Sequence, residues 1–300
     1  MKIVISGSSG LVGTALVNSL RAGGHEICRL VRSGSASFSD GAKLIRWEPP
    51  SGSIDLPALE NSDAVVHLAG ASIAGGRWTP ARKELLRRSR VDATRHLVAG
   101  LAQLKNKPRV FIAASAIGFY GIRGDEVLTE ASPPGNDFLA QICRAWETES
   151  ANAERDSIRT VILRFGIILA KHGGALKQML LPFRLGVGGR LGNGRQWMSW
   201  IALDDVVALI RSAIETDSLR GPVNAVAPNP VRNTEFTSVL AAALHRPALF
   251  PVPRPVLRVA LGEMSEMLLA SQRVIPVKLA ERDFTFQHAE LKPALQWILG

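Results

Sequence analysis

The chain has 300 residues, of which 46% are hydrophobic and 21% charged, ordinary proportions for a globular protein with a large core. It has no apolar run of the ~20 residues that a membrane span needs and no secretory signal pattern, so we expect no membrane partner. The formal net charge of +10 favours anionic ligands such as phosphates and nucleotides. The two cysteines, Cys28 and Cys143, lack metal-ligand spacing and fit a reducing, cytoplasmic setting without a metal.

The densest group of basic residues lies between Arg82 and Arg90. At helical spacing most of its members fall on an exposed face, and no nucleic-acid-binding module or aromatic platform accompanies them. We therefore expect a solvated helix face here and no nucleic-acid partner.

The N-terminal segment predicts a strand, a glycine turn and a helix. Residues 2–6 read as a strand, a G-x-x-G-x-x-G turn follows, and apolar residues then recur at helical intervals. Glycines let the backbone bend sharply and approach a ligand, and the free N–H groups of the following helix attract an anion. This context indicates a dinucleotide site whose turn holds the pyrophosphate. We expect contacts from Gly7, Ser9, Gly10, Leu11 and Val12.

The second predicted strand, residues 26–31, indicates which dinucleotide binds. It ends in Val31 and Arg32, where an NAD site carries an acidic residue for the ribose 2′-hydroxyl. A guanidinium at this place can instead pair with a 2′-phosphate. We therefore predict that Val31 and Arg32 contact NADP(H) rather than NAD(H). The alternative for Arg32 is an ordinary surface arginine.

The rest of the first half alternates between strand and helix patterns. Strands are predicted at 43–47, 63–68, 109–114 and 159–165, and helices at 79–104 and 137–155. This alternation is typical of an α/β protein with a doubly wound parallel sheet. Leu68, Ala69 and Gly70 end the fourth strand, and we expect their backbone to lie along a ribose of the cofactor.

Beyond residue 170 the pattern is less regular. Strands are predicted at 197–203 and 222–226, and helices at 204–215, 233–244, 256–270 and 288–298. We divide the chain into a dinucleotide-binding domain, residues 1–170, and a smaller C-terminal substrate lobe, residues 171–300. Residues 203–228 are expected to supply the last strand and helix of the sheet, and a small C-terminal domain to begin at about residue 248. The lobe should close over the carboxyl edge of the sheet, where ligands bind in such folds.

Several segments together resemble the extended short-chain dehydrogenase/reductases of the nucleotide-sugar epimerase type. They are the glycine turn at 7–13, Leu-Ala-Gly at 68–70, Arg-Val-Asp-Ala-Thr at 90–94, the serine and Tyr-Gly at 115–121, and residues 192–206. Segments 76–78, 143–147 and 179–186 and the C-terminal tail look most similar to epimerase family proteins of the YfcH type, which share a small C-terminal domain.

This resemblance implies a Rossmann-type fold, a nicotinamide dinucleotide cofactor and a small-molecule substrate such as a nucleotide sugar, and Arg32 makes NADP(H) the predicted cofactor. It also implies cofactor contacts from Ile168 and from Arg90, which stands where the family usually has asparagine, and substrate contacts from Trp146, Arg195 and Trp200. Alternatively, Trp146 belongs to the core and Arg195 to an arginine-rich surface loop. We expect the protein to be a monomer or a homodimer.

The acid–base pair typical of this superfamily is missing from the sequence. Its members usually carry Tyr-x-x-x-Lys on the helix after strand five; the tyrosine transfers the proton, and the lysine lowers the tyrosine pKa and holds the ribose. In these proteins a glutamate often follows that lysine by four residues. If Glu147 is this glutamate, Cys143 stands at the lysine position and Leu139 at the tyrosine position. The single tyrosine of the chain, Tyr120, has glycine rather than lysine four residues later.

Ser115 and Tyr120 are therefore the candidate catalytic residues, with Glu147 third. Alternatively, Tyr120 is a pocket-wall aromatic with a satisfied hydroxyl, Ser115 caps a strand end, and Cys143 is a small buried hydrophobe. Two functions stay open. One is an NADP(H)-dependent oxidoreductase or epimerase that acts on a sugar nucleotide or another small polar substrate. The other is an NADP(H)-binding sensor or partner-binding module that has lost catalysis.

Overall fold

A computed structural model describes residues 1–32, 34, 38 and 41–300 of the chain. Its strands, numbered in chain order, are β1 (Lys2–Ser6), β2 (Glu26–Val31), β3 (Lys43–Glu48), β4 (Ser53–Ile54), β5 (Ala64–His67), β6 (Val110–Ala116), β7 (Val127–Leu128), β8 (Arg159–Phe165), β9 (Ile167–Ala170), β10 (Trp197–Met198), β11 (Trp200–Ala202), β12 (Gly221–Ala225), β13 (Val231–Arg232) and β14 (Arg273–Val274). The central sheet has the order β12-β8-β6-β5-β1-β2-β3-β4. Its neighbouring strands are parallel except for β3 and β4, so the predicted parallel α/β sheet is confirmed.

Helices cover both faces of this sheet. They are α1 (Leu11–Ala22), α2 (Leu56–Leu59), α3 (Pro80–Arg88), α4 (Val91–Ala102), α5 (Phe138–Ala151), α6 (Gly174–Arg184), α7 (Leu203–Glu215), α8 (Asn233–Ala243), α9 (Arg254–Leu261), α10 (Ser265–Leu269), α11 (Val277–Ala280) and α12 (Leu291–Leu299). Because side chains alternate along a strand, Ile3 and Ile5 share a core with α1 and α7, whereas Val4 shares a core with α4 on the opposite face. The sheet is therefore doubly wound, as predicted.

The direction of the winding changes between β1 and β5. From β1 the chain proceeds outward to β2 and β3, and from β5 it proceeds outward to β6 and β8 on the other side. In open α/β sheets, ligands bind in the crevice at the carboxyl ends of the strands at such a switch point. β1 ends at Ser6 and β5 at His67, and these two residues are register partners. The glycine turn and residues 68–70 therefore leave the sheet side by side.

The remaining elements build a second core beyond β8. β9 pairs with β11 and β10 with β13, and α6, α8 and α12 bury their apolar faces around Phe236. β12 pairs with β8 as the last strand of the sheet, as its sequence predicts. The C-terminal segment also contacts residues 1–170, because β14 pairs with β7. In addition, the N–H groups of Gln287 and His288 donate to Asp205 on α7. The domain boundaries near residues 170 and 248 stay predictions.

The prediction of one long helix over 79–104 is wrong, because the chain turns at Ser89 and Arg90 and forms two helices, α3 and α4. Arg90 Nη2 donates to the carbonyl oxygen of Ala71 at 3.0 Å, and Ser89 Oγ accepts from the Ala71 N–H at 3.1 Å. These tertiary hydrogen bonds attach the junction of α3 and α4 to the segment after β5.

Two other predicted elements are also divided. Gly262, with a φ of +60°, separates α9 from α10 where the sequence predicts one helix over 256–270. Ser199 separates β10 from β11 where the sequence predicts one strand, because β10 pairs with β13 and β11 pairs with β9. None of the helices within the described residues combines the length and the apolar composition needed to cross a bilayer.

Candidate functional site

The turn after β1 requires glycine at two places. Gly7 adopts a φ of +67°, and a Cβ on it would lie 2.7 Å from the carbonyl carbon of Leu68. A Cβ on Gly13 would lie 2.2 Å from the carbonyl oxygen of Gly7. Any side chain at either position would push the turn apart. The backbone of the turn therefore packs directly against the segment that follows β5.

The N-terminus of α1 is open to a ligand. Gly10 is the N-cap, no side chain caps the helix, and its first turn contains no acidic residue. Ser9 and Gly10 are exposed, and Leu11 and Val12 are half-buried. The N–H groups of a first helical turn have no intrahelical partner, and together with the helix dipole they favour an anion. The local structure is suited to a phosphate.

β2 brings two arginines toward this turn. Arg29 is buried, and its Nη1 donates to the carbonyl oxygen of Ser8 at 2.9 Å, so it braces the turn. Arg32 directly follows β2 and is exposed, beside the half-buried Val31. Ser33, which follows in the sequence, lies outside the described residues. An exposed guanidinium here can pair with a phosphate, and the contacts of Val31 and Arg32 with a cofactor stay predictions.

The segment after β5 forms the next wall of the crevice. Leu68 and Ala69 are half-buried, and their N–H groups donate to Ser6 Oγ at 3.2 and 3.3 Å. Gly70 is exposed. Ile168 is half-buried and packs against the same core as Leu68. The predicted cofactor-contacting residues thus lie on neighbouring segments at one edge of the sheet, and their contacts with a ligand stay predictions.

A buried histidine fixes this wall from behind. His67 Nδ1 lies 2.6 Å from Ser6 Oγ, and its Nε2 lies 2.9 Å from Thr94 Oγ1. Burial lowers the pKa of His67 to about 4, so its ring is neutral at physiological pH. Since Ser6 Oγ already accepts from two backbone N–H groups, we assign the Ser6 proton to Nδ1 and the histidine proton to Nε2, which donates to Thr94. This hydrogen-bonded series positions residues 68–70.

The structure places the side chains of two predicted substrate contacts in the core, and their contact with a substrate stays a prediction. Trp146 is 5% exposed, and its Nε1 donates to Thr94 Oγ1 at 2.8 Å. Trp200 is 0% exposed, and its Nε1 donates to the carbonyl oxygen of Asn229 at 3.1 Å. A motif position fixes the place of a residue in the fold but not the direction of its side chain. Arg195 is exposed, and its contact with a substrate stays a prediction.

Three polar side chains lie side by side near the carboxyl ends of β6, β8 and β12. Ser115 is the register partner of Arg164, and Arg164 is the register partner of Asn224. Ser115 Oγ donates to Glu147 Oε1 at 2.6 Å, and Arg164 donates to both oxygens of the same carboxylate, each at 2.8 Å. Ser115, Arg164, Asn224 and Glu147 are all buried residues. The fork of Arg164 compensates the buried charge of Glu147.

Tyr120 completes this buried network. Its hydroxyl donates to Asn224 Oδ1 at 2.6 Å and accepts from Arg164 Nη1 at 2.9 Å. The side chain is 0% exposed, and burial raises the pKa of the hydroxyl. These contacts favour the alternative for Tyr120, an aromatic with a satisfied hydroxyl, and its catalytic role stays a prediction. Ser115 is 3% exposed, and its catalytic role stays a prediction.

The positions expected for the tyrosine and the lysine hold Leu139 and Cys143, which pack against Gly118. Cys143 is buried, and burial raises the pKa of its thiol to about 12. Neither side chain supplies a phenol or an ammonium group. Within the part of the chain that the structure describes, no group of three His, Cys, Asp or Glu side chains could hold a metal ion.

The sequence alone does not single out Arg164, Asn224 or His67. A usable signal exists for Arg164, because a charged residue in the apolar strand 159–165, covered on both faces, needs a buried partner. Glu147, on the inner face of the neighbouring helix, is that partner. Asn224 and His67 carry no comparable local signal.

The sequence is similar to known protein families and to individual proteins over most of its length. Residues 3–225 match the profile of the NAD dependent epimerase/dehydratase family, and residues 252–298 match a domain of unknown function, DUF1731. Epimerase family protein Mb2239 of Mycobacterium bovis is 42% identical over 294 residues, which are 98% of this chain and 96% of that protein. Epimerase family protein YfhF of Bacillus subtilis is 37% identical over 301 residues, which are 100% of this chain and 98% of that protein.

Among solved structures, the human epimerase family protein SDR39U1, crystallised with NADPH, superposes with a TM-score of 0.88. It is 32% identical in sequence, and the superposition covers 99% of each chain. The similarity therefore extends over both the central sheet and the C-terminal lobe.

Proposed function

Because this chain belongs to the NAD dependent epimerase/dehydratase family, as its sequence motifs imply, we propose that it binds NADP(H) in the crevice at the carboxyl edge of the sheet. The observation that carries this proposal is the glycine turn packed against β5, with the open N-terminus of α1 behind it. The crystallisation of human SDR39U1 with NADPH supports it. When bound, NADP(H) supplies hydride transfer.

Each part of the cofactor has a counterpart in the crevice. The N–H groups of residues 9–12 would hold the diphosphate, and Arg32 would hold the 2′-phosphate. Val31 and residues 68–70 would line the ribose groups. Arg90 and Ile168, on the side of β5 and β9, would border the nicotinamide half.

We assign the protein as an oxidoreductase or epimerase for a small polar substrate, with nucleotide sugars as the first class to test. Arg195, exposed on the C-terminal lobe, is the proposed substrate contact. Ser115 is the proposed catalytic residue: its proton is donated to Glu147, so its oxygen presents lone pairs to a substrate hydroxyl. We expect it to act in the cytoplasm, because both cysteines are free and buried, and to be a monomer or homodimer.

A second candidate is an NADP(H)-binding regulatory protein without turnover. It is favoured by the hydrogen-bond saturation of Tyr120 and by the raised thiol pKa of Cys143, about 12, at the place where the superfamily has its lysine. Such a protein would bind NADPH and change its protein partners when the cofactor is bound.

The two candidates are separated by measuring binding and turnover on the same preparations. Wild-type protein is titrated with NADPH and then followed spectroscopically with a panel of nucleotide sugars and small carbonyl compounds. The enzyme assignment predicts turnover that falls about tenfold or more in Ser115→Ala, with unchanged NADPH affinity. Ser238→Ala, an exposed serine on α8, is the matched control. NADPH binding without turnover across the panel would favour the second candidate, and absence of NADPH binding would contradict both.

A further inference from the structure

Arg90 is a half-buried cation without an anionic partner. Its Nη2 donates to the carbonyl oxygen of Ala71 at 3.0 Å, and its Nη1 donates to the carbonyl oxygen of Leu86 at 3.3 Å and to Ser89 Oγ at 3.4 Å. All of these acceptors are neutral. No carboxylate in the described part of the chain forms an ion pair with Arg90. Burial lowers the pKa of its guanidinium.

Two neighbours on α3, Arg87 and Arg88, do have carboxylate partners. Arg87 donates to both oxygens of Glu84 and to Asp92, and Arg88 donates to Glu84 at 2.6 Å. Arg87 and Arg88 are thus paired at the surface. Arg90 is turned inward instead, where an uncompensated charge costs more free energy.

The guanidinium of Arg90 borders the crevice. It lies over the ring of Trp146, with 5.4 Å between Cζ and the ring centroid. A Cβ on the exposed Gly70 would lie 3.4 Å from the same Cζ. The guanidinium therefore has an indole ring and an exposed glycine as neighbours, and neither of them compensates its charge.

The position of Arg90 relative to the strands of the sheet indicates which anion it would bind. β5 lies between β1, which carries the glycine turn, and β6, which carries Ser115. Arg90 is on the β6 side, since Trp146 packs with Ala114 of that strand. The phosphates of NADP(H) would lie on the other side, at the N-terminus of α1 and at Arg32 after β2. The nicotinamide half of the cofactor brings no further phosphate to this place.

We infer that Arg90, beside Trp146 and Gly70, is a subsite for an oxyanion of the substrate, a carboxylate or a phosphate. This inference rests on the proposed NADP(H) site, and it narrows the substrate to a molecule with an anionic group close to the reacting atom. The guanidinium fork matches a carboxylate or phosphate edge bidentately. Arg90 would still border the cofactor, but its charge would serve the substrate.

The test uses full-length protein saturated with NADP⁺ and titrated by calorimetry with inorganic phosphate and with malonate. The variants are Arg90→Gln, Arg90→Lys and, as the matched control, the exposed Arg88→Gln. We expect saturable binding of at least one probe to the wild type and to Arg88→Gln, and binding about tenfold or more weaker in Arg90→Gln. Arg90→Lys, which keeps the charge but not the fork, should be intermediate, and it provides the readout if Arg90→Gln does not fold. The affinity for NADP⁺ should be the same in Arg88→Gln as in the wild type, and in the two Arg90 variants it should fall much less than the affinity for the probes.

Equal probe binding by the wild type and Arg90→Gln, or no saturable probe binding to the NADP⁺-loaded wild type, would overturn the inference. It would also be overturned if Arg90→Gln weakened NADP⁺ as strongly as the probes, because the anion would then be the cofactor's own. Failure of the wild type to bind NADP⁺ at all would instead refute the proposed function on which the subsite depends.

Discussion

Ser115 donates its hydroxyl hydrogen to Glu147 Oε1 across 2.6 Å, while Arg164 holds both oxygens of the same carboxylate. The serine proton is therefore directed away from the crevice and into a buried ion pair. Together with Tyr120 and Asn224, these side chains form a buried network that joins β6, β8, β12 and α5.

The Glu147–Arg164 pair should be important for stability. Glu147→Gln removes the charge that compensates a guanidinium whose side chain is only 4% exposed. We expect a loss of about 3–5 kcal/mol in the free energy of unfolding, measured by urea denaturation. Glu84→Gln, which removes the surface carboxylate that Arg87 and Arg88 share, should destabilise the protein much less. Equal losses in the two variants would show that the buried pair has no special role.

Tyr120→Phe separates a structural from a catalytic role of the tyrosine. Removal of the hydroxyl leaves Asn224 Oδ1 without its donor and Arg164 Nη1 without one acceptor. We expect a stability loss of about 1–3 kcal/mol with NADPH affinity and any turnover changed less than about twofold. The reverse result, wild-type stability and abolished turnover, would restore Tyr120 as the proton-transferring group.

His67 should make stability depend on pH. Its pKa is lowered from 6.5 to about 4 by burial, so the folded state requires the neutral ring. The stabilisation is complete above pH 6.5 and is lost progressively as the pH falls toward 4, by about 3 kcal/mol in total. Urea denaturation at several pH values should show this slope in the wild type and in His172→Gln, an exposed-site control. A slope that persists unchanged in His67→Gln would rule out His67 as its source.

Gly13→Ala should damage the nucleotide site through backbone geometry alone. The added Cβ would lie 2.2 Å from the carbonyl oxygen of Gly7, so the turn must open. We expect NADPH affinity to fall about tenfold or more, with a stability loss of about 1–3 kcal/mol. Gly24→Ala is the control, because Gly24 has a φ of +76° but no heavy atom within 4 Å of its added Cβ. It should lose stability without losing affinity, and a similar loss of affinity in both variants would contradict the steric explanation.

The parts of the fold that the sequence predicts well are those decided by local patterns. The glycine turn, the boundaries of β2 and β8 and the return of residues 221–225 to the sheet follow from apolar periodicity and turn residues. The division of the 79–104 helix could not be predicted in this way, because the hydrogen bonds of Arg90 and Ser89 to Ala71 are tertiary contacts.

The same distinction applies to the candidate site. Arg32 and residues 68–70 are placed by the ends of their strands, so the sequence locates them. Tyr120 and Asn224 are 104 residues apart in the chain and meet only in the folded protein. The motif position of Trp200 predicts a substrate contact, but it carries no information on which side of β11 the ring packs. In the structure the ring is buried.

The most direct test of the central claim, an NADP(H) site at this edge of the sheet, is the affinity of the wild type and Arg32→Ala for NADPH and NADH. We predict that the wild type binds NADPH about tenfold or more tightly than NADH, and that Arg32→Ala loses this preference while its NADH affinity is unchanged. Arg155→Ala, an exposed arginine away from the crevice, should behave as the wild type. Equal binding of the two nucleotides by the wild type, or an unchanged preference in Arg32→Ala, would contradict the account.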